Sequence, residues 1–480
     1  MRVSKSGRTR KIIRLVVAAA AASALVVAAA PASAAPTKQP NTPNAAAVAK
    51  AVRAGNLAAT HGVRHNCQTQ LRGRLVNLGC DLLTVTTSKG SATPMTTATP
   101  TGYGPGDLAK AYFLPAPTVG PTSTESIVAV GAYPNLEADL GTYRSYYGLS
   151  ACTVANGCLK IVDYHGGPAL APDSSLASVE ESYATETALD VDMASAGCPT
   201  CHITVVQIPM SLLKLLEAAT LQLPGALADD FGTAVKEAAT LGAKSVSMSY
   251  GLPPGLQASY IGAGAPAIAL HHKGMAVVAS SGDGGYAGNT QIWPQQLPWV
   301  TSAGGTTLTT TDGGQTFTQK AWGGTFTNSQ GTTSFVGAGS GCATNLAAAV
   351  GQSAAASANC AGHRATSDVS ADADPYTGVS VYDTYTPDSG TGGGWLTVGG
   401  TSAASPFIAA LYTRGGALSS VEGPNTMYSA PAGSITDIVG GSNAQNGATD
   451  CSAHVALCTG VAGWDGPTGV GAPHGLGAFS

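Results

Sequence analysis

The sequence predicts an α/β fold in which a parallel sheet lies buried between helices. Two observations carry that expectation. Apolar strand-like runs alternate along the chain with segments of helical spacing, and those runs are apolar without interruption rather than at every second position. Strands covered on both faces read that way, and strand-helix alternation is the mark of parallel pairing through crossovers. About 380 residues follow residue 98, which suits one large domain, or two by length alone.

The elements follow in order. "SIVAVGAY" (126–133) is a strand-like run, and Leu136 to Tyr147 carries apolar residues at helical spacing. "HITVVQIP" (202–209) is again strand-like, Ala226 to Leu241 helical, and "KSVSMSY" (244–250) a strand. Pro266 to Lys273 reads as a helix with proline in its first turn, where a missing N–H costs nothing, and "MAVVASSGD" (275–283) as a strand. From Gly304 to Gly339 the chain is dense in Gly, Thr and Ser, which predicts hairpins and long loops. "SAASPFIAALYTRGGAL", entered through Thr401, is the last clear helix. No repeat of fixed period stands out.

The chain opens with six basic side chains (Arg2, Lys5, Arg8, Arg10, Lys11, Arg14), an apolar run from Leu15 to Ala30, and Ala32-Ser33-Ala34. That order predicts a signal peptide over residues 1–34 rather than a membrane anchor, and hence a secreted protein without membrane attachment after cleavage. Residues 35–98, rich in Ala, Thr, Pro and Asn, read as a short propeptide or linker without a core of its own. Removing the six leading basic residues from 23 leaves 17 against 27 acidic ones, a formal net charge of −10. Such a balance argues against nucleic acid and anionic membranes as partners. Ten cysteines in an exported chain predict disulfides, with nearest neighbours expected to pair: Cys67/Cys80, Cys152/Cys158, Cys198/Cys201, Cys342/Cys360 and Cys451/Cys458. Spacing alone does not fix that connectivity.

Three places hold candidate chemistry. In "GGTSAASP", Ser402 follows glycines and opens a helix, which suits either a nucleophile beside backbone N–H groups or an ordinary helix cap. In "ETALDVDMASAGCP", Glu186 and Asp190 are four apart on a helix, on one face, among Ala188, Leu189, Val191 and Met193. Two acids buried together hold at most one charge between them, whereas a solvated acidic face is the plain alternative. In "ASSGDGG", Asp283 sits between glycines after a buried-type strand, where a turn aspartate is common.

In this order and with these separations, the three motifs resemble the sedolisins, the serine-carboxyl peptidases. The resemblance extends from about "GYGPGDLAKAYFLP" to the C-terminus and includes "EADLGTYRSYYGL", "CPTCHI", "DVSADADPYTGVSVYDTY" and "AGWDGPTGVGAP"; secreted bacterial members are closest in texture. It implies a subtilisin-like parallel sheet flanked by helices, in a single large catalytic domain over residues 99–480. It implies an endopeptidase acting at acidic pH on proteins or peptides, as a monomer. Ser402 would be the nucleophile, Glu186 the base and then acid, Asp190 its orienting carboxylate, and Asp283 the oxyanion donor. Asp283 donates only while protonated, which is why acid pH is expected. Ser249, Tyr250 and Gly251 would line the substrate. One structural Ca²⁺ would be held by the Asp437 and Asp465 side chains and the carbonyls of Ile438, Val461 and Gly463, hard oxygen donors in Gly-rich turns.

Departures from the family are Gly131 where an acid often stands on the first strand, Tyr250 where tryptophan is frequent, and a leader far shorter than the usual prodomain. A subtilisin-type neutral peptidase is disfavoured, since none of the nine histidines sits in an "HGTHVAG"-like setting and "DYHGGP" around His165 is the nearest. A non-catalytic surface-binding protein on the same scaffold would have no chemical need for all four site residues.

Overall fold

The computed structural model describes residues 44–480, apart from 72–73, 78, 119–122, 212–213, 215–224, 253–263, 287, 289–291, 328–332, 388–392, 417 and 446–449. The expected signal peptide therefore lies outside the described residues. Among those described, the strands Thr318–Ala321, Thr301–Thr309, Ala276–Ser280, Ser245–Met248, Thr124–Val130, His202–Ile208 and Leu159–Asp163 lie side by side in that order. Val369–Asp372 joins the same sheet against Thr301–Thr309. The pairings are parallel except that of Thr318–Ala321, so the continuous apolar runs belong to a parallel sheet as expected.

Two helices fix the site. Ala177–Gly197 and Thr401–Gly415 pack on each other and on this sheet, and every side chain from Tyr183 to Gly197 is buried. A helix enclosed on all sides shows no amphipathic stripe, and this one has none. The helices expected at Leu136 to Tyr147 and Ala226 to Leu241 appear as Leu136–Tyr146 and Gly225–Thr240. The one expected at Pro266 to Lys273 stops earlier, at Ala269, so His271 and His272 lie beyond its end. The Gly/Thr/Ser-rich stretch does form antiparallel pairs, Thr301–Thr309 with Thr318–Ala321 and Gly323–Thr327 with Thr333–Ala347, although Thr301–Thr309 is also a member of the main sheet.

The described part of residues 35–98 packs against the rest of the chain. Asn44 caps the helix Ala45–Arg53 by accepting from the Ala46 and Ala47 N–H groups, and Val48 and Val52 enter a cluster with Val63, Leu83, Val85, Met95, Trp322 and Phe326. Leu83–Val85 pairs antiparallel with Val63–His65 on one side and with Gly394–Gly399 on the other. The segment has no core of its own because its apolar side chains complete one shared with the rest of the chain. Strands of three residues are too short to announce themselves by periodicity. All ten cysteines form disulfides, and the pairing is nearest-neighbour throughout.

Candidate active site

Ser402 is the second residue of the helix Thr401–Gly415, reached through Gly400 at φ +100°. A Cβ on Gly400 would stand 2.0 Å from the Asp81 carbonyl oxygen and 2.6 Å from Asp283 Oδ2, so this turn requires glycine for both its dihedral and its neighbours. Pro406, four residues on, has no N–H to offer the Ser402 carbonyl. That carbonyl faces the Ser249 hydroxyl instead, at 3.4 Å.

The four expected catalytic residues come together and are buried: Glu186, Asp190 and Ser402 are 0% exposed and Asp283 is 6% exposed. Burial, then the nearby Asp190 charge, pushes the Glu186 carboxyl well above the usual range; burial does the same to Asp190. Asp190 Oδ1 accepts the Ser249 hydroxyl at 2.6 Å, so what fixes Asp190 is Ser249 and not Glu186. Neither Glu186 oxygen has a partner of good hydrogen-bond geometry, although the Ser402 hydroxyl is near enough to lower the Glu186 pKa. The Ser402 Oγ points instead toward the Ser249 carbonyl at 3.4 Å, too long for a strong bond, and a turn about Cα–Cβ would redirect it.

Asp283 is held by one oxygen. Oδ1 accepts the Thr401 N–H at 2.8 Å and the Thr401 hydroxyl at 3.0 Å, while buried Oδ2 has no partner. Burial, and then the charge of Asp81, raises its pKa well above normal. A protonated Oδ2 is a hydrogen-bond donor waiting for an acceptor.

Beside these lies the strand end Ser249-Tyr250-Gly251, already engaged by residues 79–81. The Asp81 N–H donates to the Ser249 carbonyl at 3.3 Å and the Gly251 N–H to the Gly79 carbonyl at 2.6 Å, with Cys80 opposite Tyr250 in an antiparallel bridge. The Tyr250 ring packs near Tyr183 and Phe231, and its hydroxyl accepts the Val130 N–H at 3.2 Å. The Ser402 N–H donates to the Asp81 carbonyl at 3.1 Å.

Sequence reasoning missed two acids here. Asp81 was hidden in the supposed leader; the signal was there in "GCDLLTV", an acid between a cysteine and an apolar run. Glu125 is the second residue of the strand Thr124–Val130, is fully buried, and has its pKa raised well above normal by burial and then by Asp190. Gly131, where the family often places an acid, lies instead over Glu180 and Tyr183, so the buried acid of that strand comes from its other end. The histidines bond elsewhere: His271 with Glu422, His272 with the Ala269 carbonyl, His363 with the Leu346 carbonyl, His474 with Thr436.

Far along the chain, Asp437 and Asp465 face each other across Gly-rich turns. Asp437 accepts the Gly463 N–H at 3.0 Å and Asp465 the Val461 N–H at 3.2 Å. Asp465 is pushed up to about 7, by burial first, with the Asp437 charge adding to it. Two carboxylates that repel, each already touching the backbone of the turn at Val461 and Gly463, offer hard oxygen donors of the kind a divalent cation takes.

No family model matches the sequence. Kumamolisin from Bacillus sp. (strain MN-32) is 28% identical over 412 residues, which is 79% of this chain and 63% of that protein, so the chain spans under two thirds of its relative's length. In fold, the chain is similar to Pseudomonas sedolisin, a serine-carboxyl proteinase solved with two molecules of pseudo-iodotyrostatin: TM-score 0.57, 21% identity, 78% of this chain and 96% of that one. The expected parallel sheet flanked by helices is thus found, and the resemblance to the sedolisin family is borne out by a relative in sequence and by a solved structure in fold.

Proposed function

We propose that the chain is a secreted serine-carboxyl endopeptidase that hydrolyses peptide bonds of proteins at acidic pH. The observation that supports this reading is that the Ser402 N–H donates to one backbone carbonyl, that of Asp81, while the unpartnered Asp283 Oδ2 and that carbonyl oxygen both lie against Gly400. Donors aimed at a carbonyl oxygen are what a developing oxyanion needs. Ser402 attacks as Glu186 takes its proton, and Glu186 then returns that proton to the leaving amine. Asp190, fixed by Ser249, sits beside Glu186, so the two carboxyls share one charge and titrate with apparent pKa values of the pair.

The pH dependence follows from opposed requirements. Asp283 works protonated, and burial extends that form above the usual carboxylate range. Glu186 works ionised, with the proton of the pair on Asp190. Activity should therefore rise as the pair loses its first proton and fall as Asp283 loses its own.

Residues 1–34 act as the signal peptide in this reading, and the disulfides suit an oxidising compartment. Among the described residues no helix is long and apolar enough to cross a membrane. Asp437 and Asp465, with the carbonyls of Ile438, Val461 and Gly463, would hold one structural Ca²⁺, whose charge would relieve the repulsion between the two carboxylates. Substrates are proteins or peptides, and the enzyme acts as a monomer.

The test is hydrolysis of a denatured protein from acid to neutral pH by wild type, Ser402→Ala and Glu186→Gln. Acid-range cleavage lost in both variants is the expected result. Neutral activity surviving in Glu186→Gln would sink the mechanism, and no cleavage at any pH would favour a binding protein on this scaffold.

A further inference from the structure

The strands Ser245–Met248 and Ala276–Ser280 pair in parallel as far as Met248 and Ala279, and then their backbones part. Beyond that point the Ser249 carbonyl accepts the Asp81 N–H, while the Ser281 N–H donates to the Ala303 carbonyl on the far side. Ligands of open α/β sheets bind outside the carboxyl ends of the strands, and both ends here belong to the site. Ser249 holds Asp190, and the Gly282 N–H donates to the Thr401 hydroxyl at 3.0 Å, one residue before Asp283. The gap between them is walled by Gly251 and Gly282, which bring no side chains. One atom from elsewhere stands in it: a Cβ added to either glycine would lie 2.7 Å from the same methyl carbon, Ile292 Cδ1.

The segment that carries Ile292 is fixed to both walls. Its neighbour Trp293 donates its N–H to the Leu252 carbonyl at 3.2 Å and accepts the Leu252 N–H at 2.8 Å, which ties the segment to the strand end of Gly251. Gln295 Nε2 donates to the Ser281 carbonyl at 3.3 Å, which ties it to the strand end of Gly282, and buried Arg364 donates to the Gln295 carbonyl at 3.2 Å. A β-branched side chain on so constrained a backbone has little χ1 freedom to move aside.

We propose that Ile292 closes the pocket for the side chain on the acyl side of the cut bond, so that this enzyme cleaves after short residues, up to the length of aspartate or asparagine, and discriminates against leucine and phenylalanine. The proposal rests on the peptidase reading and narrows its substrates. Residues 79–81 mark how an extended chain lies in this cleft: antiparallel to Ser249–Gly251, with the Asp81 carbonyl on the Ser402 N–H. The side chain at that position reaches the strand that leads to Gly282 and stops there, its Oδ2 2.7 Å from the Ser280 hydroxyl. A longer side chain, directed between the glycine walls, meets Ile292 Cδ1 and has to displace it. Forcing extra methylenes into a packed site strains its neighbours, and pocket length alone yields selectivity of about 10- to 200-fold per methylene.

The experiment measures Ser402-dependent kcat/KM of the secreted protein at acid pH for three peptides that differ only in the residue before the cut bond, alanine, leucine or phenylalanine, with the cut located by mass. The expected wild-type order is alanine above leucine and phenylalanine by about tenfold or more. Ile292→Val removes Cδ1 and keeps the β-branch, and it should raise the leucine-to-alanine ratio about tenfold. Ile292→Ala should raise the phenylalanine-to-alanine ratio by at least as much; should it fail to fold, the valine variant and the leucine peptide decide the matter alone. A wild type that cuts after leucine or phenylalanine as well as after alanine overturns this proposal, as does a ratio that neither variant moves; both results leave the peptidase reading standing. Hydrolysis of no peptide and of no denatured protein overturns the two together.

Discussion

Replacing Asp283 by asparagine keeps the shape of the side chain and removes its titration. The Thr401 N–H and hydroxyl, at 2.8 and 3.0 Å from Oδ1, require an acceptor there, so the amide must place its oxygen at Oδ1 and its NH₂ at Oδ2. Oδ2 is the oxygen that lies against Gly400, as the Asp81 carbonyl also does. Asp283→Asn should thus donate at every pH, whereas the aspartate donates only while protonated. At acid pH the asparagine variant is expected within about tenfold of wild type, and Asp283→Ala about 10²–10³ lower in kcat, the loss typical of one oxyanion donor. Above the Asp283 pKa the wild type should lose about tenfold per pH unit and Asp283→Asn should not, so the ratio between them climbs by that factor. The assay is kcat for a peptide substrate against pH, with thermal unfolding as control. An asparagine variant as inactive as alanine at acid pH, with unchanged Tm, would refute the reasoning, as would coincident alkaline limbs.

Gly400→Ala, in a Ser402→Ala background, should lose about 1–2 kcal/mol from its left-handed dihedral and roughly 1–3 kcal/mol more from overpacking against Asp81 and Asp283. Gly416→Ala, at φ +84° with no neighbour within 4 Å of a new Cβ, should lose only the first part, and denaturant melts compare the two. The buried acids also set the pH dependence of folding. Asp81 rises to about 7, and Glu186, Asp190, Asp283 and Glu125 rise well above normal, each by burial first. A raised carboxyl pKa means that the native state holds protons the unfolded chain has given up, so stability is full below about pH 4 and falls as pH rises through the folded values. Urea midpoints of Ser402→Ala should therefore be higher at about pH 4 than at about pH 7; the opposite order would place these acids in charged, paired environments. Chelation with EDTA should lower Tm, and Ca²⁺ at about a hundredfold above its dissociation constant should restore about 2.7 kcal/mol, an effect that Asp465→Asn weakens.

The sheet and three of the motifs were legible because their signals are local. Continuous apolar runs such as Ala276–Ser280 name a covered strand, and Glu186 and Asp190 share a helix face by spacing alone. Glycines mark the turn before Ser402. What stayed hidden depends on pairing between distant parts of the chain. Asp81 acquires its meaning from Ser402, more than three hundred residues away, and from a two-residue register against Ser249–Gly251 that no periodicity encodes. Composition says little about how the leader packs, since Ala, Thr and Pro outweigh the few apolar residues, Val48, Val52, Leu83 and Val85, that join Trp322 and Phe326 in one cluster. Glu125 escaped notice because it precedes the apolar run rather than interrupting it.

The disulfides are all short-range, closing stretches of 13, 6, 3, 18 and 7 residues. None spans the bond between Asp81 and Leu82, so hydrolysis there, by any protease, yields two molecules with no covalent tether. While the chain is whole, residues 79–81 return to the cleft as a unimolecular event at a fixed effective concentration. Once it is cut, return depends on how much of the smaller piece remains in solution, and outside a cell that concentration falls by diffusion. The short cysteine spacing thus makes the change one-way: dilution, rather than further proteolysis, keeps the cleft open.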